Sequence, residues 1–520
     1  MSHWFDGPPV PRPPLPGSRD ADVCIVGAGY TGLWTAYYLK QADPSLRIVV
    51  LEARFAGFGA SGRNGGWLSG LVPGDRERMA RQYGREAVVA WQRALNDAVD
   101  EVIDVAAREN IDAGIVKGGT LEIARNPAQA TRLAAAADAE SRWGVDGVAT
   151  LTAGESAQRI RLSGVLTAYH NPHCARIQPA SLARGLADTV QRLGVDLYER
   201  SPATEIGPGG VATPWGTVRA PIVLRATEGF TARLPGLRRR WLPMNSSMIA
   251  TAPIPQRIWD DIGWQGRETL GDTAHGFFYA QRTVDGRIAI GGRSVPYRFG
   301  SRLDRDGQVP RRTITRLRQT LHSILPQVAD VPIAHGWCGV LAVPRDWEAT
   351  VDFQASSGLG WAGGYVGHGV TATNLAARTL TDLVLGRSSA LTELPWVGHR
   401  SRGWEPEPLR WIGVRGMYLA YQAADWHEFR GSAGTSPIAA PRRPDRGPPA
   451  LRGWQRRPEG VEWCHDRPTC VGTHRSPPHH RRADRQTRRG AGERRGGRRN
   501  RCRADTARGQ LPRCAVHPAG

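Results

Sequence analysis

Three glycines near the N-terminus, Gly27, Gly29 and Gly32, are spaced G-x-G-x-x-G in the run VCIVGAGYTGLWTAYYL, and a carboxylate, Glu52, follows later. Each residue type meets a need of dinucleotide binding. Gly27 permits a tight turn, Gly29 lets the backbone approach a pyrophosphate, and Gly32 lets a helix pack closely on a strand. Free N–H groups and the positive dipole end favour phosphate where that helix starts, at Tyr30 and Thr31. Glu52, followed by Ala53, stands about 20 residues beyond the third glycine, where a carboxylate receives ribose hydroxyls. NAD and FAD satisfy this pattern equally.

The elements around these residues agree with that chemistry. The spacing predicts a strand over Asp22–Val26, a helix over Thr31–Gln41 and a strand over Arg47–Leu51, which together make a βαβ unit. A second match, GLGWAG at Gly358–Gly363, has no helix directly after it and no suitable later acid, so it is not read as a second site. Downstream, one helical stretch is expected from Asp75 to about Asn110, a strand in GGTLEIARN and a helix over Pro127–Trp143. A helix in SLARGLADTVQRLG precedes VDLYE, and a hairpin then feeds the strand IVLRA. SSMIATA and the hairpin FFYAQRTVDGRIAIGGR, turning at Asp285-Gly286, belong to a second domain. A strand, a glycine turn and the helix Asn374–Leu385 return the chain to the first.

These readings give an α/β fold with a Rossmann-type nucleotide domain and a mixed-sheet α+β substrate domain. Residues 1–20 form a proline-rich arm. Residues 21–110, 150–233 and 333–390 make the discontinuous nucleotide domain, and 111–149 and 234–332 the substrate domain. A helical segment covers 391–430, and residues 431–520 are expected to be a disordered tail.

Composition bounds the function from outside. The chain has 520 residues and a net charge of +21, of which about 14 fall within the last 90 or so residues. That tail is rich in arginine, proline, glycine and histidine, and the whole chain contains only two lysines, Lys40 and Lys117. It suits an arginine-rich nucleic-acid arm less well than a disordered extension or an out-of-frame reading of GC-rich DNA. A nucleic-acid partner is therefore not expected. Seven cysteines without regular C-x-x-C spacing predict neither a disulfide framework nor a metal site. With no apolar leader segment and no run of about 18 apolar residues, a cytoplasmic protein with no membrane partner is expected.

Four segments, taken in order, carry a resemblance: CIVGAGYTGLWTAYYL, GASGRNGG, ATEGF and GYVGHGVTATNLAARTL. Over about Trp4–Arg430 the chain resembles the D-amino-acid oxidase superfamily of FAD-dependent amine oxidoreductases, in particular its gamma-glutamylputrescine oxidase-like and glycine oxidase-like members. The resemblance implies FAD as the cofactor and a small-molecule amine or amino acid as substrate. It further implies oxidation of a C–N bond to an imine, with oxygen or another electron acceptor completing the cycle. Alternatives are an NAD(P)H-dependent flavin reductase or monooxygenase, and an inactive homologue with a nucleic-acid-binding tail. Arg225 and Glu228 depart from the family pattern, which usually has a wholly apolar strand before an A-T-[NG]-like turn.

Within that frame, Ser61, Gly62, Arg63, Asn64, Gly65 and Gly66 combine small residues, a hydroxyl, a cation and an amide, a set suited to wrapping a pyrophosphate and reaching a flavin edge. Thr227 belongs to the ATEGF turn. Gly364, Gly367, Gly369, Val370 and Thr371 lead into a helix whose dipole favours negative charge on a bound ring. His368 stands in that turn and is a candidate catalytic residue. Arg282 and Arg293 are expected on one hairpin face with Phe278, Ala280, Ala289 and Gly291, as a clamp for a substrate carboxylate. The other face, with Phe277, Tyr279, Ile288 and Ile290, is expected to pack. His335, Trp337 and Tyr365 are expected in aromatic packing, and Cys338 as a buried thiol rather than a flavin attachment point.

Overall fold

A computed structural model describes residues 2–5, 7, 10–292, 297–303, 307–431 and 434–439. Its centre is a six-stranded sheet in the order Thr350–Gln354, Leu359–Gly363, Ile222–Arg225, Val23–Val26, Ile48–Leu51, Asp196–Tyr198. All neighbours are parallel except the first pair. The inner strands VCIV and IVVL are continuous apolar runs because both faces of the sheet are covered. Val23, Ile25, Ile48 and Val50 pack beneath the helices Tyr30–Ala42, Arg85–Arg108, Pro179–Arg192 and Gly369–Val384. Cys24, Val26, Val49 and Leu51 meet Val211 and Val218 of a small four-stranded sheet on the other side.

The second sheet has eight strands, ordered Ile333–Val343, Leu242–Thr251, Ile288–Gly292, Phe278–Arg282, Thr269–Asp272, Thr120–Ala124, Thr167–Asn171, Ala149–Thr152. It is mixed, with one parallel pair, Thr269–Asp272 beside Thr120–Ala124. One face packs Leu121, Ile123, Leu270, Phe278, Ile288 and Ile290 against Leu317 and Leu321 of helix Arg311–Ile324. Thr167–Asn171 and Ile333–Val343 cross the boundaries expected from the sequence, because their apolar residues find ladder partners here and not in the parallel sheet.

Three other expectations change. The helical stretch from Asp75 is two helices, Arg76–Tyr83 and Arg85–Arg108, broken at Gly84, whose φ of 87° lies outside the helical region. Residues 434–439 extend the described chain beyond 431: the Ser436 N–H donates to Glu428, a carboxylate with 0% exposure. Glu428 also accepts both terminal N–H groups of Arg132 and pairs with His275, which fastens helix Leu409–Phe429 to the eight-stranded sheet. From 440 onward the tail lies outside the described residues.

The hairpin near Asp285 changes most. Thr283 pairs with Arg287, leaving a three-residue loop, Val284-Asp285-Gly286, with Gly286 at φ 71°. The extra loop residue slips the pairing by one, so Ala280 faces Ile290 and Tyr279 faces Gly291.

Candidate functional site

A cavity of about 1140 Å³ runs along the C-terminal ends of the parallel strands and onto one face of the eight-stranded sheet. At one end stands Glu52, next to the strand Ile48–Leu51. Its Oε2 accepts the Ala28 N–H at 2.9 Å and its Oε1 the Arg54 N–H at 2.9 Å. Burial pushes its carboxyl up to about 7, although these N–H donors pull it down. Gly27, Gly29, Tyr30, Thr31 and Ala53 line the same end. Gly32 does not line the cavity: a Cβ there would lie 2.0 Å from the Gly27 carbonyl oxygen, so this glycine is a helix–turn packing requirement.

Ser61, Arg63, Asn64 and Gly65 line the middle, and their side chains mostly hold their own loop in shape. Ser61 Oγ accepts the Tyr30 N–H at 2.9 Å, joining the loop to the helix start. Asn64 donates to the carbonyls of Ala60 and Ser61 and accepts the Gly66 N–H. Arg63 lies over the Phe58 ring, 4.4 Å from its centroid, and donates to the Cys338 carbonyl. Gly62 and Gly66 stand behind the wall. A Cβ would meet the Phe5 ring at 2.7 Å from Gly62, and Gln281 Nε2 at 1.9 Å from Gly66.

Gly367, His368, Gly369 and Val370 close the far side, with His368 as the N-cap of helix Gly369–Val384. His368 makes no side-chain cap on that helix, whose first residues Gly369 and Val370 line the cavity with the dipole's positive end. Gly364 and Thr371 sit behind this lining. Gly364 N–H donates to Glu228 Oε2 at 2.9 Å, and the Ala342 N–H donates to Glu228 Oε1 at 3.2 Å. Glu228, a departure in the sequence, thus ties the turn at Thr227 to two distant segments. Thr227 itself lines the cavity, and Arg225 lies over the rings of Trp241 and Trp361.

The arginine clamp is not formed. Arg282 points to the core face of the hairpin, over the Trp259 ring at 4.0 Å, and donates to the carbonyls of Gly263 and Trp264. The register slip places Ile288 opposite it, so Ala289 and Gly291 share the other face with Tyr279. Arg293 lies outside the described residues. Tyr279, expected in packing, faces the cavity instead, with its hydroxyl 2.6 Å from Ser246 Oγ. Tyr365 lines the cavity and reaches Thr31 Oγ1 at 3.2 Å, whereas Trp337 supports the loop by donating to the Arg63 carbonyl. Cys338 is buried, and Gly339 beside it, not Cys338, is on the lining.

Sequence reasoning missed two parts of this site. Glu122 and Asp272 line its sheet end; the signal was a lone acid in each of two apolar strands, TLEIA and TLGD. The proline-rich arm is the other part: Trp4 Nε1 donates to the Asn64 carbonyl at 2.8 Å and Ser2 Oγ to that of Gly62 at 2.5 Å.

A βαβ glycine turn, a carboxylate at the end of the next strand and one cavity shared with a mixed sheet define a dinucleotide-dependent protein. Residues 22–383 match the family model described as DAO, FAD dependent oxidoreductase, and the chain belongs to this family. It is 30% identical over 402 residues to the gamma-glutamylputrescine oxidoreductase of Escherichia coli (strain K12), covering 74% of this chain and 89% of that one. It is 22% identical to the glycine oxidase of Bacillus licheniformis, covering 70% of this chain and 93% of that one. The fold is also that of the crystal structure of glycine oxidase from Geobacillus kaustophilus, with a TM-score of 0.58 at 22% identity over 74% of this chain and 100% of that chain. FAD is therefore the cofactor. The cradle fits it: a Cβ at Gly29 would come within 3.0 Å of Ser61 Oγ and fill the space a pyrophosphate needs.

Two predictions arise here. Glu52→Ala removes the carboxylate at the end of the second parallel strand and orphans two N–H groups; FAD affinity is expected to fall about tenfold, measured by flavin fluorescence on reconstitution. The second concerns pH. Burial pushes Glu228 up to about 7 from an ordinary 4.5, against the pull of the Gly364 and Ala342 N–H groups. Between those values the folded protein holds a proton that the unfolded chain has lost, so the stability contributed by this group is present below 4.5 and lost as pH rises through 7. Glu228→Gln is expected to flatten the decline of apoprotein stability across that window, by about 1.4 kcal/mol per pH unit at most. Glu428 titrates below the window, because Arg132, the Ser436 N–H and His275 outweigh burial and hold it at about 2. Urea unfolding at pH 5, 6 and 7 checks this; equal slopes in variant and wild type count against it.

Proposed function

We propose that this protein oxidises a C–N bond of an amine or amino acid to an imine, in the cytoplasm. Bound FAD would supply the two-electron oxidation: the C–H hydrogen would leave with two electrons and the nitrogen would lose a proton to give the imine for water to hydrolyse, with oxygen as the final acceptor reduced to hydrogen peroxide. The chain's own residues bind and orient. Glu52 receives the ribose, the Gly27–Thr31 turn and Ser61 receive the pyrophosphate, and the start of helix Gly369–Val384 favours negative charge on the ring. His368, the N-cap of that helix, lines the same cavity as Tyr279, Ser246 and Tyr418, the side chains offered to a substrate.

One observation carries this reading: a single cavity joins the dinucleotide cradle to an aromatic chamber on the second sheet. The names of the relatives, an oxidoreductase of gamma-glutamylputrescine and a glycine oxidase, support an amine or amino-acid substrate. The reductase alternative would call for a second dinucleotide turn. In GLGWAG the glycines lie in and beside the strand Leu359–Gly363, where a Cβ at Gly358 would meet the Pro221 carbonyl oxygen at 1.9 Å. The test is the visible spectrum of the holoenzyme, without oxygen, on addition of an amine and amino-acid panel and, separately, NADPH. Bleaching by an amine is expected; bleaching by NADPH alone would overturn the reading.

A further inference from the structure

On the cavity face of the eight-stranded sheet, one row of paired residues runs across five strands: Tyr169, Glu122, Gly271, Tyr279, Gly291. Gly271 leaves a gap between Glu122 and Tyr279. A Cβ there would meet the Trp67 ring at 3.2 Å and Glu122 Cγ at 3.9 Å, so indole and carboxylate flank one slot. Trp67 stands edge-on to Tyr279, with ring centroids 6.4 Å apart, and its buried Nε1 has no hydrogen-bond partner among the described residues. Asp272 is the next residue of the central strand, and its Oδ1 accepts the Phe278 N–H at 3.1 Å.

The Glu122 carboxylate makes no hydrogen bond or ion pair among the described residues, although it lines the cavity. Burial pushes both Glu122 and Asp272 up to about 7; the Asp272 charge adds to burial at Glu122, while at Asp272 the Asp425 charge raises it further and the Phe278 N–H and Arg125 pull it down. The arginines that line the cavity are placed elsewhere: Arg54 beside Glu52, Arg63 over Phe58, and Arg233 at the end of the turn Glu228–Arg233. With Arg282 turned into the core, this end of the cavity offers two acids and aromatic faces, which repel a carboxylate and attract a cation.

We propose that Glu122 and Asp272, with the Trp67 ring between Glu122 and Tyr279, hold a second positive group of the substrate, so that the protein selects amines bearing a distal cation. The proposal rests on the amine-oxidation reading and deepens it. Two strand spacings, about 10 Å, separate Glu122 from Tyr279. A short diamine therefore places one nitrogen at the acids and the other toward the chamber that His368 closes. Glu122 and Asp272 act as specificity residues, not as catalytic ones.

The test uses the anaerobic holoenzyme with three probes of equal chain length: diaminobutane, butylamine and aminobutanoate. Calorimetric titration gives affinity whether or not turnover follows, and flavin bleaching gives the rate. Diaminobutane is expected to bind at least tenfold more tightly than butylamine, and aminobutanoate most weakly. Glu122→Gln and Asp272→Asn should each erase most of the diamine's advantage over butylamine, with the flavin spectrum intact; Glu122→Asp should retain part of it. Equal affinities for diamine and monoamine, or a diamine advantage that survives both substitutions, would overturn the proposal. Carboxylate-sensitive diamine binding with no bleaching by any amine would sustain it while removing the proposed reaction. Bleaching without preference for the dication would do the reverse.

Discussion

Gly32→Val is expected to yield a colourless protein. The added Cβ would sit 2.0 Å from the Gly27 carbonyl oxygen and 3.3 Å from Ile25 Cγ2, and neither neighbour can withdraw. Gly27 is pinned by its own close approach to the Ala226 carbonyl oxygen, and Ile25 belongs to a strand paired on both sides. The helix Tyr30–Ala42 must therefore move away from the turn, which displaces its first N–H groups from the glycine turn that lines the cavity. Overpacking of this kind costs about 1–3 kcal/mol in a core that can adjust, and this contact is with backbone. Flavin content per mole of purified protein is the measurement. Gly416→Ala serves as the control: a Cβ there meets nothing within 4 Å inside helix Leu409–Phe429, so it should keep full flavin content and gain about 0.5–1 kcal/mol of stability. Full flavin occupancy in Gly32→Val would show that the helix is not anchored as described.

That contact was legible in the sequence because it is local. Gly27, Gly29, Gly32 and Glu52 lie within one βαβ unit, where spacing along the chain determines spacing in space. The same holds for the apolar strands VCIV and IVVL, and for the helix Gly369–Val384 except that it starts at Gly369 rather than at Asn374 as expected. What failed depends on register and on distant partners. Counting Asp285-Gly286 as a two-residue turn misplaced Arg282 by one position, and in a strand one position reverses the face. Tyr279 was assigned to packing for the same reason, although its ring lies on the cavity side, against Gly65 and Gly291. Glu228 reads in the sequence only as a departure from the family pattern, because its two N–H donors, from Ala342 and Gly364, come from more than a hundred residues away.

The N-terminal arm is the other long-range feature, and it leads to the second large effect. Trp4 is 3% exposed: its ring stands edge-on to Trp337 at 5.5 Å, its Nε1 donates to the Asn64 carbonyl, and its own carbonyl accepts Gln178 Nε2 at 2.7 Å. Phe5 packs edge-on to Phe55 and fills the space that a side chain at Gly62 would need. The arm is thus a strap behind the loop Ala60–Gly66, whose front lines the cavity at Ser61, Arg63, Asn64 and Gly65. Full burial of an indole contributes about 2–3 kcal/mol, and a terminal strap undocks as a unit once its anchor is lost. Trp4→Ala should therefore match deletion of residues 2–5 in both melting temperature and flavin dissociation rate, with the rate rising about tenfold. Glycines at 62, 65 and 66 give the loop little rigidity of its own, so its shape depends on what stands behind it. If both variants released flavin at the wild-type rate, Asn64 and its neighbours would be held by their internal hydrogen bonds alone.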